Sequence, residues 1–328
     1  MKAILNHLFE HKTLSKTESK EILKNIANGQ YNHSQIASFL TVFIMRSITV
    51  EELEGFRDAM LELCIPVDMQ GREVIDLCGT GGDGKDTFNI STLSSFVVAG
   101  SGIKVAKHGN YGVSSVSGSS NVMQHHGCKF TNDIDHLRRK VDEANICFLH
   151  APFFHPAMKN VAPVRKQMGV KTFFNMLGPM VNPSFPQQQL VGVFSLELAR
   201  LYAYLYQKTE KRFCILHALD GYDEISLTGS FKAISNGKEQ LLEAKDLGLK
   251  QLNAIDLAGG TTIEEAAKLF YTILEGNGTP QQNSVVFANA GMAIKTARPQ
   301  LSIEDAIAEA EESLKSGKAL KCFKKLVE

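Results

Sequence analysis

The pattern of apolar and polar residues changes once along the chain, near residue 70. The residues before Pro66 predict helices only. These helices are predicted over residues 16–28, 34–46 and 49–64. Two of them start with the spacing of a capping box, Ser15 with Glu18 and Thr49 with Glu52. Because Pro66 stops the run, the first part of the chain is predicted to be a helical domain.

From residue 73 onward, short apolar runs alternate with glycine turns and helical patterns. Strands are predicted over residues 73–78, 103–106, 146–149, 189–194 and 212–218. Helices between the strands, such as 90–100, imply crossovers and a parallel sheet. Residues 156–186 interrupt this alternation with a helix at 156–168 and proline-rich turns, so this segment is expected to pack back on the N-terminal helices. The chain ends in helices predicted over residues 261–275, 282–297 and 302–316.

These patterns predict the α/β class, with a small all-helical domain and a large α/β domain that has a mainly parallel central sheet. The small domain is predicted to comprise residues 1–70 and 156–188. The large domain is predicted to comprise residues 71–155 and 189–328.

Composition excludes several classes of protein. The 328 residues are 44% hydrophobic, and Lys+Arg and Asp+Glu both number 35, which argues against a nucleic-acid-binding protein. Six cysteines without a CxxC pair predict free thiols, no zinc site and a reducing compartment. There is no apolar run near 18 residues and no signal-peptide pattern, so we expect a cytoplasmic protein without a membrane span.

The richest motif is DLCGTGGDGKDTFNIST, residues 76–92, between a predicted strand and a predicted helix. Glycines let the backbone approach phosphate oxygens, and the helix start offers N–H groups. A P-loop needs Ser or Thr where Asp86 stands, and a dinucleotide fold needs an acid where the next strand ends in Lys107 and His108. Neither template fits, which leaves another kind of phosphate site or a glycine turn without a ligand.

Three further polar clusters follow predicted elements. Residues 107–120, KHGNYGVSSVSGSS, predict a second anion cradle, with a flexible linker as the alternative. Asp223 and Glu224 in DGYDEIS suit magnesium, with a solvated acidic turn as the alternative. His150, His155 and Arg165 are interspersed with apolar residues, a pattern that suits a flat carboxylate ligand or a helix with ordinary surface charges.

Two phosphate cradles, a magnesium pair and an arginine in apolar surroundings suggest a substrate such as phosphoribosyl diphosphate. Its chemistry is displacement at the anomeric carbon, through an oxocarbenium-like transition state with charge on the leaving diphosphate. Stabilisation of that charge by metal, Lys and N–H groups would supply most of the catalysis. We therefore assign no residue as a general acid or base.

The order of the motifs along the chain resembles the anthranilate phosphoribosyltransferase family. The motifs are GTGGD (79–83), NIST (89–92), KHGN (107–110), SS and SGS (114–119), HPAMKNVAPVR (155–165), FNMLGPMVNP (174–183) and DGYDEIS (220–226). The resemblance implies a helical domain hinged to an α/β domain, and transfer of phosphoribose to the amine of anthranilate in tryptophan biosynthesis. It also implies a homodimer through the helical domains, with anthranilate on the helical side and donor and magnesium on the α/β side.

The resemblance also implies the residues that bind each ligand. Donor-binding residues are Gly79, Gly82, Asp83, Thr87, Asn89, Ile90, Ser91, Thr92, Lys107, His108, Asn110, Ser114, Ser115 and Ser119. Anthranilate-binding residues are Gly79, Asn110, His155 and Arg165, and His108 and Arg165 are candidates for supporting roles in catalysis. Ser91, Asp223 and Glu224 would bind one or two Mg²⁺ ions. The chain departs from the family pattern at Tyr111, Asn121, Gln124 and Glu265, where Arg, Asp, Glu and Asn are usual.

Two other functions remain open at this point. A pyrimidine nucleoside phosphorylase of similar fold also attacks an anomeric carbon, but it should carry a K-x-S-x-R type motif, which is not found around Lys166. A non-catalytic nucleic-acid-binding relative should have a basic groove and a damaged anthranilate site, which the neutral charge, Asn110 and Arg165 oppose.

Overall fold

The structure is a computed structural model that describes residues 1–112 and 116–328. The chain divides into two compact units, Met1–Val67 with Ala151–Phe185 and Asp68–His150 with Pro186–Glu328. Each boundary between the units lies a few residues before the predicted one. His155, which was predicted to belong to the large domain, therefore belongs to the helical unit.

The described residues form fifteen α-helices and seven strands. The helices are α1 (Lys2–Phe9), α2 (Lys16–Ala27), α3 (His33–Met45), α4 (Val50–Leu63), α5 (Ile90–Gly100), α6 (Ser119–His125), α7 (Ile134–Ala144), α8 (Ala151–Phe154), α9 (Ala162–Met168), α10 (Phe174–Leu177), α11 (Leu196–Tyr206), α12 (Ile263–Leu274), α13 (Pro280–Ala297), α14 (Ile303–Lys315) and α15 (Lys318–Val327). The strands are β1 (Ile75–Gly79), β2 (Val105–Gly109), β3 (Ile146–His150), β4 (Gln188–Gly192), β5 (Arg212–Ala218), β6 (Phe231–Ser235) and β7 (Lys238–Leu242).

The helical unit is built around a cluster of phenylalanine rings. Phe56 of α4 stacks on Phe173 with ring centroids 4.3 Å apart, and Phe39 of α3 meets both rings edge-on. Both predicted capping boxes are present, at the starts of α2 and α4. Because offset and edge-to-face ring pairs add to the energy of burial, this cluster stabilises the joining of α3 and α4 to the later segment.

The later segment packs back on the N-terminal helices, as expected. The backbone N–H of Ile65 donates to Phe154 at 2.8 Å, and that of Val67 donates to Pro183 at 2.8 Å. The single helix predicted over residues 156–168 is wrong. A 3₁₀ turn (Pro156–Asn160) precedes α9, which starts anew with Pro163 in its first turn, where the missing N–H has no cost.

The α/β unit contains one seven-stranded sheet, in the order β3-β2-β1-β4-β5-β6-β7. Strands β1 to β5 are parallel, while β6 and β7 form an antiparallel extension. The mainly parallel sheet is therefore confirmed, but β6, β7, α6, α7, α11 and α15 were not predicted. In a parallel sheet of this order, successive strands are added on one side of β1 up to β3 and on the other side from β4 onward, and ligands bind at the carboxyl ends of the strands at this switch point.

The second strand lies further along the chain than predicted. It spans Val105–Gly109, so Lys107 and His108 lie within the strand rather than after it. Both side chains are buried. A strand predicted from a run of apolar residues ends at the first charged residue, so the prediction stopped before Lys107. Among the described residues, no helix is long and apolar enough to cross a membrane.

Candidate active site

The site is centred where β1 and β4 lie side by side. Gly79, the last residue of β1, is the register partner of Gly192, the last residue of β4. A Cβ atom on Gly79 would lie 2.5 Å from Asp223 Oδ2, and one on Gly192 would lie 1.4 Å from the Asp223 carbonyl oxygen. The two glycines therefore make room for the turn that carries Asp223 and Glu224.

The glycine-rich loop after β1 is held by bonds to distant parts of the chain. Thr80 N–H donates to the Gly192 carbonyl at 2.9 Å, and Gly81 N–H donates to Asp223 Oδ2 at 2.7 Å. Within the loop, Lys85 N–H donates to Asp83 Oδ1 at 3.0 Å. Gly81, Gly82 and Gly84 all have positive φ, which an L side chain rarely adopts, so this path requires glycine.

The end of the loop is fixed by a segment near residue 258. Phe88 N–H donates to the Leu257 carbonyl at 3.0 Å, and Gly259 N–H donates to the Asp86 carbonyl at 2.9 Å. Thr87 forms an isolated antiparallel bridge with Ala258. The loop therefore reaches the start of α5 in a defined path.

The start of α5 contributes backbone N–H groups to the site. Ser91 N–H donates to Glu224 Oε1 at 2.9 Å. Asn89, the N-cap residue, makes no capping bond with its side chain, and its Nδ2 instead donates to the Ser117 carbonyl at 3.0 Å. Ile90 and Thr92 are buried behind them. A helix start of this kind favours negative charge through its dipole.

Asp223 and Glu224 are adjacent carboxylates, of which Asp223 is buried and Glu224 is half-buried. Burial and the charge of Asp83 raise the pKa of Asp223 to about 7, and burial and the charge of Asp223 raise the pKa of Glu224 well above its ordinary value. Desolvated like charges favour a bound cation. In the described part of the chain, no group of three or more His, Cys, Asp and Glu side chains is arranged for metal binding. Two carboxylates and the Ser91 hydroxyl nevertheless fit Mg²⁺, which keeps waters and substrate oxygens as its other ligands.

The residues after Ala106 form the second polar segment of the site. Lys107 is 2% exposed, and its Nζ donates to the Leu77 carbonyl at 2.5 Å. His108 N–H donates to Asp76 Oδ1 at 3.1 Å. Asp76 is fully buried and was not predicted as a site residue, although a lone acid in an apolar strand is a signal that could have found it.

Asn110 and Ser119 lie where β2 leads toward α6. The Asn110 carbonyl accepts from the Ser119 hydroxyl at 3.3 Å and from Ser120 N–H at 3.0 Å. Tyr111 N–H donates to Asn110 Oδ1 at 2.8 Å. The predicted donor residues Ser114 and Ser115 lie outside the described residues.

The residues that depart from the family pattern form hydrogen bonds with nearby groups. Asn121 Oδ1 accepts from Gly112 N–H at 2.9 Å and from Gly118 N–H at 3.0 Å, and the Tyr111 hydroxyl donates to Gln124 Oε1 at 3.2 Å. Glu265 Oε2 accepts from Thr261 N–H at 2.7 Å, near the start of α12. Asn121 and Glu265 therefore bond nearby backbone N–H groups, whereas Tyr111 and Gln124 bond each other through their side chains.

The two remaining predicted residues lie in the helical unit. Arg165 Nη2 donates to Asn175 Oδ1 at 3.1 Å, and the guanidinium lies 5.4 Å from the centroid of the Phe174 ring. Arg165 Nε is buried and has no hydrogen-bond partner among the described residues. Burial lowers the pKa of Arg165, and it lowers the pKa of His155 to about 4, so His155 is neutral near pH 7.

Two family models match the chain in the same order as its units. The "Glycosyl transferase family, helical bundle domain" matches residues 2–64, and the "Glycosyl transferase family, a/b domain" matches residues 71–320. An anthranilate phosphoribosyltransferase of Christiangramia forsetii is 64% identical over 326 residues, which cover 99% of this chain and 98% of that protein. The chain belongs to the anthranilate phosphoribosyltransferase family.

Solved structures of the family agree with this assignment. Anthranilate phosphoribosyltransferase from Thermus thermophilus is 32% identical, with a TM-score of 0.91 and 98% of each chain covered. The Saccharomyces cerevisiae protein "in complex with PRPP and Mg" is 28% identical, with a TM-score of 0.90, and the match covers 98% of this chain and 95% of that one. The family and fold predicted from the sequence are confirmed, and neither alternative function is favoured.

Proposed function

We propose that the protein transfers the 5-phosphoribosyl group from phosphoribosyl diphosphate to the amine of anthranilate. The products are N-(5-phosphoribosyl)anthranilate and diphosphate, and the step belongs to L-tryptophan biosynthesis. One observation carries the proposal: the carboxylates of Asp223 and Glu224 are bonded by Gly81 N–H and Ser91 N–H. Groups that suit a divalent cation and groups that suit a diphosphate thus belong to one hydrogen-bonded unit.

The donor is proposed to bind the loop after β1, the start of α5 and the end of β2. The residues are Gly79, Gly82, Asp83, Thr87, Asn89, Ile90, Ser91, Thr92, Lys107, His108, Asn110, Ser114, Ser115 and Ser119. The positive φ of Gly82 and the dipole at the start of α5 support this assignment, because the first lets the backbone approach phosphate oxygens and the second favours negative charge.

The reaction requires stabilisation of negative charge on the departing diphosphate. One or two Mg²⁺ ions, held by Ser91, Asp223 and Glu224, would offset that charge as a Lewis acid when bound. The buried Lys107 ammonium and the dipole of α5 add fixed positive potential in the same unit, at no cost of reorganisation during the reaction. No side chain is assigned as general acid or base.

Arg165 is proposed to bind the carboxylate of anthranilate. Its buried Nε is a donor without a described partner, while Asn175 Oδ1 accepts from Nη2 of the same guanidinium. A charge-assisted pair in a partly desolvated site is stronger than an exposed one. Neutral His155, together with Gly79 and Asn110, completes the proposed set for the aromatic substrate.

A homodimer is proposed through the helical unit. An apolar groove of ≈ 480 Å³ lies between α1 and α3, lined in part by Leu8, Phe9, Val42 and Met45. Phe9 is 60% exposed and Met45 is 80% exposed. A second copy of the chain would cover this surface. Light scattering should report a dimer for the wild type and a monomer for Met45→Asp.

Cytoplasmic location is also a proposal. It is supported by the six cysteines, all of which are free thiols. Such thiols suit a reducing compartment.

The decisive experiment follows anthranilate fluorescence after phosphoribosyl diphosphate is added. We expect a loss of fluorescence that requires magnesium. No turnover by freshly purified protein in excess magnesium would contradict the proposal. Tight, salt-sensitive retention on heparin would favour the nucleic-acid-binding alternative instead.

A further inference from the structure

Ile225 ends the turn that carries the two carboxylates. It is fully buried and lies between β5 and β6. Its N–H donates to Asn289 Oδ1 at 3.0 Å, and its carbonyl accepts from Asn289 Nδ2 at 2.9 Å. Buried backbone groups need hydrogen bonds. The Asn289 carboxamide bonds both the N–H and the carbonyl of Ile225, as a paired residue of a neighbouring strand does in a sheet.

Asn289 is itself held in one orientation. It lies in the buried middle of α13 and is 3% exposed. Its Nδ2 also donates to the Val285 carbonyl at 2.9 Å, one turn earlier in the helix. A flipped carboxamide would set its NH₂ group against Ile225 N–H and lose all three bonds.

These bonds act directly on Glu224, which precedes Ile225. Glu224 Oε1 is fixed on its other side by Ser91 N–H at 2.9 Å. Glu224 and Asn289 also line one cavity of ≈ 20 Å³. Asn289 thus restrains the backbone of the residue that directly follows Glu224.

We propose that Asn289 is a positioning residue for the magnesium carboxylates. By clamping the backbone of Ile225, it keeps Glu224 beside Asp223 in the geometry that a cation needs. The inference rests on the magnesium site of the proposed function. It predicts that Asn289 controls cation affinity and has little effect on anthranilate binding.

The test is Asn289→Ala, with Mn²⁺ as the probe and phosphoribosyl diphosphate present. Electron paramagnetic resonance should show about 10-fold weaker Mn²⁺ binding, the size of effect typical of residues that orient metal ligands. The Mg²⁺ concentration for half-maximal rate should rise by a similar factor, with KM for anthranilate unchanged. Asn283→Ala is the matched control, since Asn283 lies on the same helix and donates to the Gly278 carbonyl instead.

Asn289→Ser provides a milder change if the alanine variant does not fold. Its hydroxyl is shorter and makes fewer bonds, so a smaller weakening in the same direction supports the proposal. Wild-type Mn²⁺ affinity in a folded Asn289 variant would overturn this inference and leave the function intact. Absence of Mn²⁺ binding by the unaltered protein would overturn the metal site and this inference with it.

Discussion

Around Asp223 the polar groups are held by residues far away in the chain, whereas around Arg165 they are held by neighbours. The Asp223 carboxylate accepts a hydrogen bond from Gly81 N–H, and the Glu224 carboxylate accepts one from Ser91 N–H. Arg165 bonds Asn175 on the same local segment and keeps a buried Nε without a described partner. Changes near Asp223 should therefore disturb the whole reaction, and changes near Arg165 should disturb one substrate.

The largest effect is expected for Asp223→Asn with Glu224→Gln. Loss of both charges removes the proposed cation ligands, so activity should fall about 10³-fold or more. Steady-state rates across a magnesium series measure the loss and should show no remaining magnesium dependence. Glu239→Gln on the exposed strand β7 is a control that should retain activity. A double variant with normal, magnesium-dependent turnover would contradict the assignment.

Gly192→Ala tests whether the paired glycines position the carboxylates. The new Cβ would meet the Asp223 carbonyl oxygen at 1.4 Å, so the turn must shift. A displacement near 1 Å at a reacting centre costs about 10²-fold in rate. We expect kcat to fall by that factor, with a lower Tm.

Gly178→Ala is the control for Gly192→Ala, because its Cβ meets nothing within 4 Å and its φ is −44°. Its kcat and Tm should stay near the wild-type values. Equal kcat in the two alanine variants would show that the close contact with Asp223 has no catalytic importance.

Arg165→Ala should separate the two substrates. Removal of a hydrogen bond to a charged group should raise KM for anthranilate roughly 10- to 100-fold. KM for phosphoribosyl diphosphate should change less than about twofold. Lys166→Ala, an exposed neighbour, should change neither constant. Equal increases in both KM values would mean that Arg165 supports the fold rather than anthranilate.

The smallest expected effect concerns acid stability. Burial lowers the pKa of His155 to about 4, below the value of about 6.5 for an unfolded chain. Between these values the unfolded chain binds a proton that the folded chain does not, so stability falls as pH decreases from about 6.5 to 4.

His155→Gln should reduce the drop in Tm between pH 7 and pH 5 by a few degrees. The exposed His33→Gln is the matched control and should leave that drop unchanged. Thermal melts at the two pH values measure it. The same drop in wild type and His155→Gln would contradict the role of this imidazole.

Much of the fold could be predicted from the sequence because interactions between neighbouring residues determine it. Ser15 with Glu18 fixes the start of α2, and the apolar run before Cys78 gives β1 within two residues. The β6–β7 hairpin was missed because its outer strand alternates weakly and carries Lys238 and Glu239. Strand β2 was shifted because Lys107 is buried, and its bond to the Leu77 carbonyl helps to make that burial tolerable.

The sequence by itself determined the family and the helical and α/β fold class, and it is the source of the residue types proposed for the site. These follow from short motifs and from periodicity, which are local properties. Tertiary structure alone decided that Gly192 faces Gly79 across the sheet and that Asn289 bonds Ile225. Both pairings join residues far apart in sequence, and register and helix packing set them, so no local pattern of residues contains them.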